Sequence, residues 1–534
     1  MNDLNQQVMW NRLISIVEEQ ALSLVRTAFS TSVREAGDLS AGIFDTYGKM
    51  MTQAVTGTPG HVNTMAAAIQ NFIEDIGPHR IYEGDVYITN DPWKGTGHLH
   101  DFTVVTPIFR KKTLIGYFGC TAHVVDVGGR GFGPEANEVY EEGLFVPIMK
   151  LVEKGNLNTD LIDIVKHNVR EPKQVVGDLH SLAACNDVGI ARLHTMLDDF
   201  KIDDLKELAS FIFHRTSAAI SERIRTLPKG RYKNEMKVDG YNETLTLSVS
   251  LTVTENGIHA DFNGTSAISP KGINVPLTYA HAYFTYAMVV VLSPDVPNNA
   301  ASLQPFTVSA PKGCILNALH PDPVAVRHVI GHFVTDLCLG AIADALPGSV
   351  PAEGSGALWN FHVSARSTDS VHPKPPAEIL MFNSGGTGAR PHLDGLNSTA
   401  FPSGVRTMSS EATENTGPII IWRKELRPDS GGTGKFRGGL GQIIEIGPTE
   451  GYEFRFSCMF DRVKNAARGR NGGGNGALGQ VYLDDGTPFD AKGQQLVPNG
   501  RRLILELPGG GGFGDPKERT LDKVAIDKEK GYVN

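Results

Sequence analysis

Two histidines and an aspartate in the first quarter of the chain have a spacing that a β-hairpin would bring together. The stretch GHLHDFTVVTPIFRKKTLIGYFGCTAHVVD, residues 97–126, reads as two strands that turn at residues 110–112. Such a hairpin pairs residues whose numbers sum to about 223, so Asp101 lies opposite Thr121 or His123, on one face of the ribbon. Because His98 stands where the first strand begins, the fold brings His98, Asp101 and His123 together. His100 and Asp126 lie nearby.

This set of side chains suits a divalent metal ion. Two imidazoles and one carboxylate are ligands for Zn²⁺, Mn²⁺ or Fe²⁺, and they leave positions open for water. An ion held there would lower the pKa of a bound water or polarise a carbonyl group. The alternative is that these residues are hydrogen-bonded loop residues beside an ordinary hairpin. Cys120 falls on the opposite face, which favours packing over a role as a thiolate ligand.

The elements that must position these residues follow from hydrophobic periodicity. Apolar residues at three- and four-residue spacing predict a long N-terminal helix, a helix after GTPGH, several helices between residues 156 and 227, and one through TYAHAYFTYAMVVVL. Alternating segments predict a meander after Gly230 and short strands beyond Val350. We predict a large, multi-layer α+β protein with N-terminal helices and the metal-bearing hairpin in region 1–229, a central α/β region at 230–349, and a glycine-rich, β-dominated region at 350–534.

Composition excludes several functional classes. The 534 residues carry a formal charge of −9, and their basic residues form no stripe of the kind that binds nucleic acid. No apolar run reaches the length of a membrane span, and the N-terminus lacks the pattern of a signal peptide. We therefore expect a cytoplasmic protein that binds neither nucleic acid nor membrane. The five cysteines are widely spaced without a CxxC pair, which indicates reduced structural residues.

Two glycine-rich segments resemble nucleotide-binding loops without fulfilling their requirements. Residues 474–479 and 509–514 both match GxGxxG. A predicted strand follows the first, where a dinucleotide site needs a helix, and only about twenty residues follow the second, too few for a βαβ unit of ~30 or more. We interpret these glycines as turn residues with positive φ, and we expect ATP to bind elsewhere if the reaction uses it.

Several motifs in a fixed order carry a resemblance to a known family. They are REAGDLSAGIFD, TGTPGHV, GDVYITNDPWKGTGHLHDFTVVTP, TAHVVDVGG, YEEGLFVP, NVREPKQVVGDL, DSGGTGKFRGGLGQ and LPGGGGFGDP. Over nearly its whole length the chain resembles the hydantoinase B/oxoprolinase family, which includes B subunits of ATP-dependent hydantoinases and lactamases and relatives in acetone and acetophenone carboxylases. The resemblance implies a partner A-type subunit that binds ATP and phosphorylates the substrate's oxygen, and a metal centre in this chain.

The resemblance also implies roles for individual residues. The family's metal ligands fall on His98, Asp101 and His123, with a fourth acidic ligand at Asp38, for which Asp45 is the competitor. Further assignments concern a smaller group around the centre: Asp126 as a partner that orients His123, Glu142 as a general base, and His61 as a lining residue of the pocket. His100 stands where many family members differ, which argues against a ligand role. Arg390, Asp394, Glu411 and Glu414 lie in family-like segments without an assigned chemistry.

These observations favour one function over two alternatives. We expect the B (β) subunit of an ATP-dependent cyclic-amide hydrolase of the hydantoinase, oxoprolinase or lactamase type, in an α2β2-type hetero-oligomer. In it, metal-bound water opens a ring whose carbonyl the A-type partner has phosphorylated; the metal is Zn or Mn, with Fe as a further candidate. The alternatives are a subunit of an ATP-dependent ketone carboxylase and a noncatalytic scaffold for the ATPase partner.

Overall fold

The structure is a computed structural model that describes residues 3–356 and 358–534. Its helices, numbered in chain order, are α1 Asp3–Thr27, α2 Thr31–Arg34, α3 Pro59–Ile76, α4 Thr159–Asn168, α5 Pro172–Phe200, α6 Lys206–Thr226, α7 Leu277–Leu292, α8 Ala300–Leu303, α9 His328–Gly331, α10 Phe333–Ile342, α11 Ser410–Glu414 and α12 Leu521–Glu529. Short 3₁₀ turns cover Pro78–Arg80, Val139–Glu141 and Pro516–Glu518. Within the described ranges, no helix combines the length and the hydropathy that a membrane span requires.

The strands form four sheets. They are β1 Leu39–Phe44, β2 Met50–Gln53, β3 Val86–Thr89, β4 Asp101–Arg110, β5 Thr113–His123, β6 Met149–Glu153, β7 Asn156–Leu157, β8 Gly230–Val238, β9 Leu245–Val253, β10 Ile258–Asp261, β11 Phe306–Ser309, β12 Phe361–Ser367, β13 Ala377–Met381, β14 Ile419–Leu426, β15 Gln442–Pro448, β16 Tyr452–Met459, β17 Gln480–Leu483, β18 Lys492–Val497 and β19 Leu503–Glu506. The orders are β2-β1-β5-β4-β3-β6-β7, β11-β10-β9-β8, β13-β12-β16-β18 and β14-β15-β19-β17. The predicted α+β class is confirmed, because the strands pair antiparallel except for β10 with β11.

The seven-stranded sheet carries the predicted hairpin and is covered by helices on both faces. Helices α1 and α5 pack on one face, where Ala41 and Cys120 are buried. Helix α3 covers the other face through Met65, Ile69 and Phe72. Since both faces are removed from water, β1 is buried at every position. The sheet therefore holds the ends of β1, β4 and β5 in a fixed relation to α3.

Helix α3 begins and ends at residues suited to those positions. Pro59 occupies its first turn, where a missing N–H costs nothing, and Gly77 ends it with a φ of 79°. Val62, Met65, Ile69 and Phe72 recur at helical spacing and face the sheet. His61 is therefore fixed in the first turn of this helix, beside the end of β1.

The two C-terminal sheets share one apolar core. Trp359, Phe361, Phe454 and Phe456 pack in it with Ile444 and with the other buried residues of both sheets. A larger core extends from α1 through the seven-stranded sheet and the sheet of β8 to β11, and it includes Met459 of β16. The division of the chain into regions 1–229, 230–349 and 350–534 stays a prediction.

The glycine-rich segments at 474–479 and 509–514 pack backbone against backbone. Of their glycines only Gly514 has the expected positive φ, at 76°, so the expectation of turns with positive φ is wrong for the others. Gly439 N donates to Thr387 O at 2.8 Å, and Gly510 N donates to Gly439 O at 3.0 Å. A Cβ added at Gly510 would lie 1.9 Å from Thr387 O, and one at Gly476 would lie 2.2 Å from Gly509 O. Gly509 to Gly512 do not have positive φ. Glycine is required there because extended segments approach too closely for any side chain.

Candidate metal centre

The hairpin of β4 and β5 has the register that the sequence predicts. Asp101 pairs with His123, Phe102 with Ala122 and Thr103 with Thr121, and the register shifts by one residue between Ile108 and Phe109. Asp101 and His123 are therefore directly opposite each other at the end of the hairpin that lies away from its turn. His98 lies just before β4, and its carbonyl accepts a hydrogen bond from Asp101 N.

Three donor atoms converge at this end of the hairpin. His98 Nε2 lies 2.8 Å and His123 Nδ1 lies 3.2 Å from Asp101 Oδ1, and the two ring nitrogens are 3.3 Å apart. All three residues are at most 2% exposed. A tetrahedral Zn²⁺ with bonds of ~2.0–2.1 Å separates its ligands by about 3.3 Å. The spacing of these atoms fits a divalent cation, and the group could hold one.

Neighbouring groups hold the second ring nitrogen of His98 and the second carboxylate oxygen of Asp101, but not the second ring nitrogen of His123. His98 Nδ1 donates to Ala325 O at 2.8 Å, which leaves the Nε2 lone pair directed at the donor cluster. Asp101 Oδ2 accepts from Thr96 Oγ1 at 2.8 Å and lies 2.9 Å from His61 Nε2. His123 Nε2 is buried without a hydrogen-bond partner among residues 3–356 and 358–534.

Arg327, which sequence reasoning missed, binds the central carboxylate. Its Nη2 donates to Asp101 Oδ2 at 2.6 Å, its Nε donates to Thr96 O at 2.8 Å, and the guanidinium lies 4.1 Å from the Tyr279 ring centre. Burial opposes the ionisation of Asp101, but its interactions with His61, His98 and Arg327 hold its pKa well below the usual range. Asp101 is thus an ionised carboxylate, the form that binds a cation.

Three of the surrounding imidazoles, those of His98, His328 and His332, are buried and have lowered pKa values. Burial and the Arg327 charge lower the pKa of His98 to about 3, and they lower the pKa of His332 to about 3 as well. Burial and neighbouring charges also hold the pKa of His328 well below its usual value. Neutral imidazoles offer lone pairs to a metal ion, whereas imidazolium groups cannot.

A phenylalanine ring packs against three of the histidines. Phe132 follows a loop with positive φ at Gly128, Gly129 and Gly131. Its ring centre lies 5.0 Å from both His100 and His123, and 5.6 Å from His328. A cavity lined by the rings of Phe132, His123 and His328, together with His61 and Ser403, has a volume of only about 20 Å³. That volume accommodates a water molecule but no organic ring.

Of the two acids that compete for the fourth ligand position, only one lies at this cavity. Asp38 precedes β1 and lines the cavity, with Oδ1 3.5 Å from His61 Nδ1. Asp45 lies beyond the other end of β1, where its carboxylate accepts from Tyr47 N at 2.8 Å and from Lys49 N at 2.9 Å. The pKa of His61 is raised: burial lowers it, but the charges of Asp101 and Asp38 more than offset that effect.

Asp126 and Glu142 lie outside the cavity and bind the loops behind it. Asp126 accepts from Gly128 N at 3.0 Å and from Arg170 Nη1 at 2.7 Å, and does not hydrogen-bond to His123 in the described structure. Glu142 Oε1 accepts from Val324 N at 2.5 Å and from Ala325 N at 2.8 Å. The sequence predicts that Asp126 orients His123, but in the structure Asp126 binds Arg170 instead. Glu142 and His98 are connected through Ala325, whose N–H donates to Glu142 and whose carbonyl accepts from His98.

Two further residues, His100 just before β4 and Cys120 in β5, are not part of the ligand cluster. His100 stacks on His123 with ring centres 5.4 Å apart, and both of its ring nitrogens are buried without a hydrogen-bond partner in the part of the chain that is described. Cys120 is fully buried, with Sγ 3.2 Å from Leu182 O on α5. The prediction that Cys120 packs on the opposite face is confirmed.

Comparisons with known proteins agree on one family. The sequence model described as Hydantoinase B/oxoprolinase matches residues 2–516. A putative D-/L-hydantoinase B subunit of Pseudomonas sp. (strain NS671) is 28% identical, over 100% of this chain and 93% of that protein. The crystal structure of the ATP-dependent caprolactamase from Pseudomonas jessenii superposes with a TM-score of 0.90 at 25% identity, covering 100% of this chain and 95% of the other. A nucleotide-free acetone carboxylase structure has the same fold, with a TM-score of 0.85 at 19% identity over 99% of this chain and 78% of the other.

Proposed function

The chain belongs to the hydantoinase B/oxoprolinase family, and from that premise we propose that it is the metal-binding B-type component of an ATP-dependent cyclic-amide hydrolase. In this proposal an A-type partner binds ATP and phosphorylates the carbonyl oxygen of a cyclic amide, and this chain provides the site where the ring opens. We propose an α2β2-type hetero-oligomer in the cytoplasm. The observation that carries the proposal is the buried convergence of His98, Asp101 and His123.

The chain's own residues would hold the cation as follows. His98, Asp101 and His123 provide the ligand atoms, and Asp38 is the fourth ligand, for Zn²⁺ or Mn²⁺, or alternatively Fe²⁺. A cation bound there lowers the pKa of a coordinated water and polarises a carbonyl group. Arg327 and Thr96 fix the orientation of Asp101, and Ala325 O fixes the tautomer of His98.

The chemistry of a cyclic amide explains why phosphorylation by ATP would precede ring opening. The ring nitrogen donates electron density into the carbonyl, so the carbonyl carbon is a poor electrophile. Phosphorylation of the oxygen removes that resonance and creates a leaving group. The phosphorylated substrate is anionic, and the Arg327 guanidinium beside the ligand cluster would attract it, as would the charged form of His61, which the raised pKa of that residue favours. We propose Glu142 as the general base, a role that the variant Glu142→Gln tests.

The metal centre can be tested with a matched pair of histidine variants. His123→Gln removes one proposed ligand, whereas His281→Gln removes a partly buried imidazole whose Nε2 donates to Phe306 O, away from the cluster. We expect stoichiometric metal in the wild type and in His281→Gln, and at least a tenfold loss in His123→Gln, measured by inductively coupled plasma mass spectrometry. Full metal content in His123→Gln, or no metal in the wild type, would contradict the proposal.

The reaction class requires the complete complex. The chain is copurified with the A-type partner, and ATP hydrolysis is measured with hydantoin, 5-oxoproline, caprolactam and simple ketones, each with and without bicarbonate. We expect a cyclic amide to stimulate ATP hydrolysis and to be opened, with loss of ring opening in His123→Gln. Turnover that requires a ketone and bicarbonate would instead establish the carboxylase alternative, and metal-free activity would favour the scaffold alternative.

A further inference from the structure

A cavity of about 370 Å³ lies in a part of the molecule that the metal centre does not use. It is lined by the last turn of α7 and by the segments 349–352, 387–391 and 396–401, and it shares no described lining residue with the metal-centre cavity. Its volume is within the range of small-molecule sites in proteins. We call it the arginine pocket, because Arg390 is the one charged residue among the described residues that line it.

The wall of the arginine pocket is mostly apolar. Aliphatic and aromatic side chains provide most of its surface, among them Val291 and Leu396. Two of its three hydroxyl groups are already bonded to the backbone, because Thr387 Oγ1 accepts from Leu396 N at 2.8 Å and Thr399 Oγ1 donates to Asn397 O at 2.9 Å. A ligand therefore meets an apolar surface and one strong group of hydrogen-bond donors, the Arg390 guanidinium.

Backbone groups hold Arg390 in place. Its N–H donates to Leu393 O at 2.9 Å across a tight turn. Its Nε and Nη2 both donate to Asp394 O, at 3.2 and 2.8 Å. Its Nη1 has no hydrogen-bond partner within residues 3–356 and 358–534. The guanidinium is thus fixed at the wall of the pocket with one edge free to donate.

The charge of Arg390 has no acidic partner in the described parts of the chain. Asp394 is the nearest acid in the sequence, but its carboxylate accepts from Arg519 Nη1 at 2.8 Å, from Arg519 Nη2 at 3.1 Å and from Arg437 N at 2.7 Å. Arg390 contacts only the backbone carbonyl of Asp394. A guanidinium keeps its charge at physiological pH, and a half-buried charge without a counter-charge is unfavourable. The arginine pocket therefore has the electrostatic character of an anion site.

We propose that the arginine pocket binds a small monocarboxylate with an apolar chain, whose carboxylate accepts from the free edge of Arg390 and whose chain packs on the apolar wall. Guanidinium–carboxylate pairs form strong, charge-assisted hydrogen bonds. A single cation matches one negative charge, so the site suits a carboxylate better than a phosphate monoester, which carries about two.

The shape of the arginine pocket favours a free small molecule over a segment of another protein. Four chain segments line it, and its volume matches that of small-molecule sites. The inference is independent of the proposed function, because the metal ligands and the arginine pocket have no described residue in common.

A chain-length series tests the apolar wall. Hexanoate and octanoate are titrated into the chain of 534 residues, and their binding is measured by isothermal titration calorimetry. Each methylene group that is buried strengthens binding by a factor of about four. Octanoate should therefore bind about tenfold or more tightly than hexanoate, and 1-octanol serves as the probe with a similar chain and no charge.

A matched pair of arginine variants tests the charge. Arg390→Gln removes the guanidinium of the pocket, whereas Arg455→Gln removes an exposed guanidinium of β16 that does not line it. Arg390→Gln should weaken octanoate binding by about tenfold or more and should leave 1-octanol binding within about threefold. Arg455→Gln should change neither affinity by more than about twofold. Arg390→Lys keeps the charge and should bind octanoate more tightly than Arg390→Gln.

Two valines of α7 provide a second matched pair. Val291 lines the arginine pocket, whereas Val289 lines a separate cavity between α7 and the start of α3. Val291→Phe should weaken the binding of octanoate and of 1-octanol by about tenfold or more, because the added ring occupies the space of the chain. Val289→Phe should leave both affinities within about twofold.

The outcomes either support or overturn the arginine pocket. Absence of octanoate binding to the wild type, or equal octanoate binding by the wild type and Arg390→Gln, would overturn it. If Arg390→Gln does not fold, as judged by circular dichroism, Val291→Phe and the ratio of hexanoate to octanoate affinity decide the question. If the wild type binds no octanoate and Val291→Phe no longer copurifies with an A-type partner, the cavity belongs to a protein interface and the proposal is wrong.

Discussion

Glu142 provides a test of how the segment 324–325, whose Ala325 carbonyl binds His98, is held in place. It is 1% exposed, its Oε1 accepts from the backbone of Val324 and Ala325, and its Oε2 has no partner among the residues described. Burial raises the pKa of this carboxyl group to about 8 from an ordinary value of 4.5. In the folded protein Glu142 is therefore a neutral acid at pH 7, whereas in the unfolded chain it is ionised.

The sign and size of the resulting pH dependence follow directly. A carboxyl group whose pKa is raised on folding stabilises the protein at low pH, and that contribution is lost as the pH rises through about 8. Between pH 7 and pH 9 the group releases its proton, and the wild type should lose about 1.4 kcal/mol of unfolding free energy from this residue. Glu142→Gln keeps the hydrogen-bond acceptor but cannot ionise, so it should not show this loss.

Urea denaturation followed by tryptophan fluorescence at pH 7, 8 and 9 measures the difference between wild type and Glu142→Gln. The adjacent Glu141→Gln serves as the control, because the Arg130 hydrogen bond lowers the pKa of Glu141, which therefore does not titrate in this range. If Glu142→Gln loses stability with pH as steeply as the wild type, the argument for a neutral Glu142 is refuted. The same variant also tests the role of Glu142 in catalysis. If the rate of ring opening by the Glu142→Gln complex is within about threefold of the wild-type rate, Glu142 has a structural role, whereas loss of a general base should lower that rate by a factor of about 10²–10⁴.

Three further predictions concern other parts of the molecule. Arg327→Gln removes the donor that holds Asp101, so metal affinity measured by chelator competition should fall about 10–100-fold, and an unchanged affinity would show that Arg327 does not position this ligand. Gly510→Ala places a Cβ 1.9 Å from Thr387 O and should lower the unfolding free energy, measured by urea titration, by about 3 kcal/mol or more. Gly354→Ala is the control, because its Cβ meets no atom closer than 3.6 Å, and it should lower the unfolding free energy far less. All five cysteines are buried, so a thiol reagent should modify none within minutes in the folded protein and all after denaturation; rapid native labelling would contradict their packing.

Much of the site could be predicted because the hairpin is local. Asp101 and His123 are 22 residues apart, and their pairing follows from the position of the turn at residues 110–112. The side chains of a β-ribbon alternate with period two, so the turn alone determines which residues share a face. The helices were predictable for a similar reason, since Met65, Ile69 and Phe72 already show the helical period in the sequence.

The parts that could not be predicted involve contacts between distant segments. Arg327 is 226 residues from Asp101. No periodicity in the sequence connects the residue before α9 with a hairpin of the seven-stranded sheet. His328 and His332 line the same cavity for the same reason. Their sequence signal, an arginine followed by two histidines four residues apart, is compatible with an ordinary buried helix.

The assignment of Asp126 shows how proximity in sequence can mislead. Asp126 is three residues from His123, yet the chain turns away after β5 and its carboxylate binds Arg170. The contact of Glu142 with the backbone of Ala325 is likewise one that its sequence position does not reveal. Direction, as well as distance along the chain, decides which groups meet, and loop directions depend on tertiary packing.

The glycine-rich segments mark the boundary between the two sources of information. Their composition indicated unusual backbone, and the sequence was sufficient to disfavour a nucleotide site. That Gly510 packs against Thr387 and Gly439 was decided only when segments more than 70 residues apart came together. The amino-acid sequence by itself determined the helices, the hairpin and its three candidate ligands, because those depend on short-range periodicity and one turn. The tertiary structure decided the partners of Asp101 and the packing of the glycines, because these depend on contacts between segments that are distant in the sequence.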